Sequence, residues 1–229
     1  MGTHLITGAG SGIGEAVAEQ LSKRGEDIWL IARNAGRAAA LRQRFPGART
    51  LIGDLADPAK LSWAFGQQEM PVEVDSLLHI AGVVQLGEIG DLGVKTWQEQ
   101  LNVNLLAPAE VTRLMLPSIR LVKGHVLFVN SGAGLRAGAQ WGPYAASKFG
   151  LRALADSLRE EEHANGVRVT TVYPGRTATA MQLKVHQQEG KDYDPARWID
   201  PASVATAILT ALDLPRDAEI TEITVRPGQ

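Results

Sequence analysis

The sequence contains no cysteine, which excludes a disulfide framework, a thiolate nucleophile, a Cys-ligated zinc and an iron–sulfur cluster. It also lacks a charge imbalance: 23 Lys and Arg against 25 Asp and Glu give a formal net charge of −2 and a pI of about 6.2. Such a chain has no electrostatic footprint for nucleic acid or an anionic membrane surface. Nowhere do about 18 apolar residues run together, the length that a membrane-crossing helix requires. The opening Met1-Gly2-Thr3-His4-Leu5-Ile6 shows neither a basic leader nor an apolar targeting stretch. It also lacks the Ser or Thr at the sixth position that a myristoylation signal uses. A cytoplasmic location without nucleic-acid or membrane partners is the expectation. What remains is ordinary: 45% hydrophobic and 21% charged residues suit a globular chain with a sizeable core and exclude disorder.

Short β-branched runs alternate with longer helical patterns along the whole chain. Strands are expected at Thr3–Thr7, Asp27–Ala32, Arg49–Gly53, Ser76–Ile80, His125–Asn130, Val167–Tyr173 and Glu219–Arg226. Helices are expected at Gly12–Arg24, Asn34–Phe45, Pro58–Gln68, Trp97–Leu116, Pro143–His163 and Pro201–Leu212. Thr96-Trp97-Gln98-Glu99 reads as a capping box, and Asp57-Pro58 and Asp200-Pro201 each read as a carboxylate cap before a first-turn proline. This alternation predicts an α/β fold: a doubly wound, mostly parallel seven-stranded sheet with helices on both faces, in one domain spanning 1–229. The stretch Arg176–Ile199 is the exception. Gln182 to Asp194 is polar, shows no convincing strand pattern and has too little apolar material to pin itself down. It reads as a lid or a disordered connection.

The first strand runs into Thr7-Gly8-Ala9-Gly10-Ser11-Gly12-Ile13-Gly14 and then into a helix. Glycines there permit φ > 0 and close backbone approach to a ligand, and the N–H groups of the helix start attract a pyrophosphate. G-x-G-x-x-G fails, because Ile13 stands where its third glycine belongs, and no Gly-Lys-Ser/Thr completes a P-loop. G-x-x-x-G-x-G fits through Gly8, Gly12 and Gly14, at the place where a doubly wound sheet binds dinucleotides. The second strand ends in Ala32-Arg33-Asn34 without a carboxylate. An acidic residue there bonds a ribose 2′-OH, whereas arginine accepts a 2′-phosphate. Arg33 is either a solvated strand-end arginine or the mark of NADP(H) over NAD(H), and the glycine turn favours the second.

Tyr144 and Lys148 stand at i and i+4 on one helix face. A cation beside a phenol favours phenolate and lowers its pKa, making the tyrosine a usable proton donor and acceptor. Ser131 follows the fifth strand, at the sheet end where ligands bind. It reads either as a turn cap or as a hydroxyl sharing a substrate oxygen with Tyr144. His79 reads as a satisfied strand-end histidine, and none of the five histidines shows a metal-ligand spacing such as H-E-x-x-H, so no metal is expected. Along Pro143–His163, Leu151, Leu154, Ala155 and Leu158 form one apolar stripe. Ala145, Ala146, Phe149 and Ala153 form a second, which a surface helix does not need.

With Thr7-Gly8-x-x-x-Gly12-x-Gly14, Asp54, Ala81-Gly82, Asn104, Ser131, Tyr144-x-x-x-Lys148 and Pro174-Gly175 in this order, the whole chain resembles the short-chain dehydrogenases/reductases of the compact, non-extended branch. The resemblance implies a Rossmann fold and an oxidoreductase that moves hydride between NADP(H) and a carbonyl or secondary alcohol. It implies that Tyr144 is the general acid/base, that Lys148 tunes it and binds the nicotinamide ribose, and that Ser131 positions the carbonyl. Asn104 corresponds to an asparagine that holds a proton-relay water, with Asn102 the competing assignment. Cofactor contacts are implied for Gly8, Ser11, Gly12, Ile13, Gly14, Arg33, Asp54, Leu55, Ala81, Gly82, Tyr144, Lys148, Pro174, Gly175, Thr177 and Thr179. A homotetramer or homodimer and a small-molecule substrate are implied as well. Two departures stand out: His79-Ile80 replaces the family's Asn-Asn before Ala81-Gly82, and Ser11 occupies a position where many NADP-using members carry Arg or Lys. Trp141, Met181 and Trp198 hint at an apolar substrate pocket. Two other readings share the fold: an NADP-dependent epimerase or dehydratase, and a dinucleotide-sensing or interaction protein.

Overall fold

The computed structural model describes residues 1–228. Its strands are β1 (Thr3–Thr7), β2 (Asp27–Ala32), β3 (Arg49–Ile52), β4 (Ser76–His79), β5 (His125–Val129), β6 (Arg168–Pro174) and β7 (Glu222–Val225). They form one sheet of order β3-β2-β1-β4-β5-β6-β7, every neighbouring pair parallel. The helices are α1 (Gly12–Lys23), α2 (Ala35–Arg44), α3 (Leu61–Gly66), α4 (Val94–Leu101), α5 (Ala107–Leu121), α6 (Gly142–Glu162), α7 (Ala180–Gln188) and α8 (Pro201–Asp213).

The period of two along a strand divides the core into two layers. Ile6, Leu30, Leu78 and Leu127 point to one face and pack with Val17 and Leu21 of α1, Leu41 of α2 and Ile208 of α8. Their neighbours Leu5, Trp29, Leu77 and Phe128 point to the other face and meet Phe65 of α3, Met115 of α5 and Leu151 of α6. Both faces are covered, so the central strands are apolar throughout: every residue of β4, β5 and β6 is buried. The chain winds outward from β1 to β3 and then returns to lay β4 on the other side of β1. That reversal opens a crevice at the carboxyl ends of β1 and β4, where a doubly wound sheet binds its ligands.

Three local expectations are corrected. The helix expected over Trp97–Leu116 is two helices, α4 and α5, joined by a π turn at Asn102–Leu106 in which the Ala107 N–H donates to the Asn102 carbonyl. α4 begins at Val94 behind Gly93, so Thr96 lies inside the helix and the capping box does not form. Asp57 does not cap either: its carboxylate pairs with Lys60, 2.6 Å away, beside a short 3-10 turn. Asp200 does cap α8, accepting from the Ala202 N–H at 2.8 Å.

The segment after β6 departs most from expectation. It holds α7, capped by Thr179, whose hydroxyl accepts from the Gln182 N–H at 3.2 Å. Polar groups anchor it alongside Val185, which is buried with Val84, Leu86 and Tyr144. Arg176 makes a two-pronged ion pair with Glu189 at 2.9 and 2.6 Å, and the Gln188 side-chain Oε1 accepts from the Leu86 N–H at 2.6 Å. His186 is buried between Tyr193 and Trp198, and Thr177 and Ile199 close the segment with a parallel bridge.

Candidate active site

At the β1–α1 turn three glycines are required for different reasons. Gly8 and Gly12 sit at φ of +78° and +58°, a region that side chains other than glycine rarely adopt. A Cβ on Gly8 would also strike the Ala81 backbone at 2.7 Å, one on Gly12 would meet Thr179 at 2.8 Å, and one on Gly14 would collide with the Gly8 carbonyl. Ser11 stands at the N-cap of α1 in extended conformation without a side-chain cap bond, so the first-turn N–H groups stay available to an anion. Across the crevice the Thr7 hydroxyl accepts from the N–H groups of Ile80 and Ala81 at 2.9 and 3.1 Å. This fixes the small Ala81-Gly82 pair against the turn.

Beyond β2, Asn34 caps α2 by accepting from the Arg37 N–H at 3.0 Å. The cap brings Arg37 into the first turn of α2, and its guanidinium lies over Gly10, with Nη2 3.2 Å from where a Cβ would stand. Arg33 and Arg37 line the same end of the cavity, near Asp54 and Leu55. Arg37 was not picked out from the sequence. An asparagine cap followed three residues later by arginine was the available signal.

At the other end, α6 carries Tyr144 and Lys148 into the cavity one turn apart, both nearly fully buried at 6% and 3% exposure. Lys148 Nζ donates to the Val129 carbonyl at 2.9 Å and lies 5.8 Å from the Tyr144 ring centroid. Burial lowers the lysine to about 8. The phenol does not behave as expected: burial raises its pKa, and the Ser131 hydroxyl beside it pulls only partly the other way. Loss of solvent, which penalises the anion, outweighs that hydrogen bond. Ser131 fills the first of the two roles considered for it, the turn cap. Its hydroxyl accepts from the Ala133 N–H at 3.1 Å, capping a short turn, and it lines the cavity next to Tyr144.

Asn130, also unread in the sequence, positions this group. Its side chain accepts from the Ser131 N–H at 2.8 Å and donates to the Lys148 carbonyl at 3.0 Å, tying the β5 loop to α6. Asn104 is fully buried and stands behind the cavity wall, unlike the other expected catalytic and cofactor residues, all of which line it. Of the three residues expected at the substrate pocket, Trp141 and Met181 line the cavity, whereas Trp198 packs on His186. The Asn104 carboxamide accepts from the Val83 N–H and donates to the Val83 carbonyl and the Ser147 hydroxyl, at 2.8, 2.9 and 3.0 Å. Ser147 in turn donates to the Tyr144 carbonyl at 2.7 Å. Asn104 therefore braces the loop after β4 against the turn that carries Tyr144. Asn102 donates instead to the Ala56 carbonyl at the surface. His79 is stacked on Phe128, bonded to Thr112, and lowered by burial to about 3, which makes it a neutral structural histidine.

The cavity joining these ends has a volume of about 1000 Å³, at the upper limit of small-molecule sites, roughly 300–1,000 Å³. The glycine cradle, open helix start and two arginines at one end fit a dinucleotide phosphate, and Pro174, Gly175, Thr177 and Thr179 line the wall between it and Tyr144. The glycine turn and the Ser131, Tyr144 and Lys148 side chains thus meet around one cavity at the carboxyl ends of the strands. The sequence profile described as short chain dehydrogenase matches residues 3–190, and the chain belongs to that family. It is 28% identical to an uncharacterized oxidoreductase of Staphylococcus epidermidis, across 97% of this chain and 96% of that protein. It is 30% identical to dehydrogenase/reductase SDR family member 11 of Bos taurus, across 98% and 95%. An alcohol dehydrogenase of the archaeon Thermococcus sibiricus, complexed with 5-hydroxy-NADP, superposes with a TM-score of 0.80 at 26% identity, over 99% of this chain and 97% of that one. The closed form of a serine dehydrogenase complexed with NADP+ superposes at 0.86 with 22% identity, over 98% and 94%, a likeness of fold.

Proposed function

We propose that the protein is an NADP(H)-dependent reductase of carbonyl compounds, run in reverse on the corresponding secondary alcohols. The observation that carries this reading is the convergence of Ser131, Tyr144 and Lys148 at one end of a single cavity whose other end carries Arg33 and Arg37. When bound, the nicotinamide cofactor supplies or takes up the hydride. The chain's own groups handle the rest. The glycine turn and the α1 start would hold the diphosphate, Asp54 and Leu55 the adenine side, and Lys148 the nicotinamide ribose. Two guanidinium groups would hold a 2′-phosphate more firmly than the single Arg33 read from the sequence.

In the direction of reduction, the substrate oxygen lies between the Ser131 and Tyr144 hydroxyls. The carbonyl π bond breaks as carbon gains hydride, and Tyr144 passes its proton to the oxygen. The buried phenol is neutral near pH 7, so it starts as an acid, and the protonated Lys148 nearby stabilises the phenolate that forms. The intact Tyr144–Lys148 pair favours an enzyme over a dinucleotide-sensing protein. The chain-length coverage of the dehydrogenase relatives favours a reductase over an epimerase.

NADPH consumption against a panel of aldehydes and ketones tests the reading. Turnover is expected with NADPH at well below the cofactor concentration needed with NADH, and Tyr144→Phe should lose roughly 10²–10⁴-fold in kcat while retaining NADPH affinity. Wild-type turnover in Tyr144→Phe would remove the proton-transfer role, and equal affinity for both cofactors would remove the argument from the arginines.

A further inference from the structure

The cavity is richer in cations than a chain of net charge −2 would suggest. Arg33 and Arg37 belong to the phosphate end, Arg176 is held by Glu189, and Lys148 by the Val129 carbonyl. Two lining guanidinium groups remain, Arg136 and Arg226, and neither has a carboxylate or other acceptor among the described residues. Asp54 and Glu99 are the carboxylates of the lining, on the loop after β3 and on α4.

Both arginines are placed by the elements that build the catalytic end. Arg136 follows the short turn Gly132–Gly134 directly after Ser131, and its N–H donates to the Gly132 carbonyl at 3.1 Å. Arg226 follows the last residue of β7. That end is fixed beside β6 by the Gly175 N–H, which donates to the Val225 carbonyl at 2.7 Å. From there its side chain reaches the Ser131 loop, with Nη1 3.3 Å from where a Cβ on Gly132 would stand. Any larger residue at Gly132 would crowd this guanidinium. Near Tyr144 the lining also carries the apolar side chains of Val84, Trp141, Met181 and Val185, with Gln182 between the last two on α7.

We propose that the substrate is a short oxo acid, interconverted with its hydroxy acid, whose carboxylate is held by Arg136 and Arg226 while its carbonyl oxygen faces Ser131 and Tyr144. This rests on the carbonyl-reductase reading and names the substrate class for it. Each turnover adds one hydride to the carbonyl carbon and one proton from Tyr144 to the oxygen, and NADPH is oxidised to NADP+. Guanidinium is suited to this because its planar donors match a carboxylate in two parallel hydrogen bonds, and the small apolar wall leaves room for a short alkyl chain.

The test compares kcat/KM for short oxo acids with that for the methyl esters of the same acids, using NADPH and the whole protein. The wild type should prefer the acid at least ~10-fold, a difference of about 1.4 kcal/mol. In the double variant Arg136→Gln/Arg226→Gln that ratio should fall toward unity through a rise in KM for the acid. Fluorescence titration of NADPH should give the same affinity in the variant as in the wild type. A matching loss of NADPH affinity would assign the two arginines to the cofactor and overturn the proposal. Turnover of esters and acids alike by the wild type would make them solvated rim residues, overturning the proposal and leaving the reductase reading intact. Failure to reduce either class would overturn the reductase reading and this inference with it.

Discussion

At Lys148, burial and chemistry pull in opposite directions. The ammonium group sits almost out of solvent with one carbonyl partner, and burial holds its pKa near 8 where an ordinary lysine has 10.5. A group whose folded pKa lies below its unfolded one costs stability wherever both states are protonated, and the cost fades as pH rises from the folded to the unfolded value. At pH 7 that cost is about 3 kcal/mol from the shift, reduced by about 1 kcal/mol for the hydrogen bond to Val129. Lys148→Met should therefore be more stable than the wild type by about 2 kcal/mol at pH 7 while losing both cofactor affinity and turnover. Denaturant unfolding followed from pH 7 to pH 10.5 should show the difference shrinking as pH rises. A variant less stable than the wild type at pH 7 would mean that the charge is compensated in the fold. Tyr144 works the other way, since burial keeps its proton in place as an acid. On the proposed mechanism, turnover in the direction of reduction needs a neutral phenol beside a charged lysine, a combination confined to the acid side of about pH 8 in the free protein.

At the scale of elements, α7 shows what polar burial can build. Besides Ala180 its sequence offers only Met181, Leu183 and Val185 as apolar residues, and Leu183 is exposed, so periodicity gave no reason to expect a helix. Order comes from partners distant in sequence, the Arg176–Glu189 pair and the Gln188 contact to Leu86, and such pairings leave no local pattern. The same few contacts make α7 a candidate lid over Tyr144, where Met181, Gln182 and Val185 line the cavity. Hydrogen exchange should find α7 less protected than β5 and β6 in the free protein and more protected with NADPH and substrate together. Glu189→Gln should lower its protection further, and identical protection in free and bound states would make α7 a fixed wall. The strands were readable to within three residues because two buried faces force continuous apolar runs. That the glycine turn, Ser131, Tyr144 and Lys148 gather in one cavity was readable because the turn tolerates few residue types and Tyr144 and Lys148 share one helix face. The π turn at Asn102–Leu106 was not: a local shift in hydrogen-bond register changes no composition, so Trp97–Leu116 read as one helix. Asn130 was missed for a related reason, since its work is to join two elements and it belongs to no sequence motif of its own, although it bonds the backbones of Ser131 and Lys148.

For the whole molecule, the face of α6 turned away from the sheet bears on assembly. Leu151, Ala155 and Leu158 are buried against the core, as the first apolar stripe required. Of the second stripe, Ala145 is buried within the chain, which narrows the free surface to Ala146, Phe149 and Ala153, all exposed. Single exposed apolar residues are normal, but these lie on one helix face, and the adjoining π turn adds Leu106. Phe149 is 41% exposed and Leu106 48%. The fit between the two segments is close, because a Cβ on Gly150 would meet Leu105 at 2.7 Å. Small alanines let a second backbone approach, and a face that meets its own copy about a two-fold axis makes a self-complementary, closed interface. We therefore predict a homodimer through α6, or a homotetramer if a second interface adds to it. Light scattering at micromolar concentration should return at least twice the 24.5 kDa chain mass. Phe149→Glu should shift the mass toward that of a single chain by placing two like charges near the axis, with the fold retained by circular dichroism because Phe149 contributes little to the core. A wild-type protein that scatters as a monomer would refute the interface. A dimer that survives Phe149→Glu would place the contact on another face.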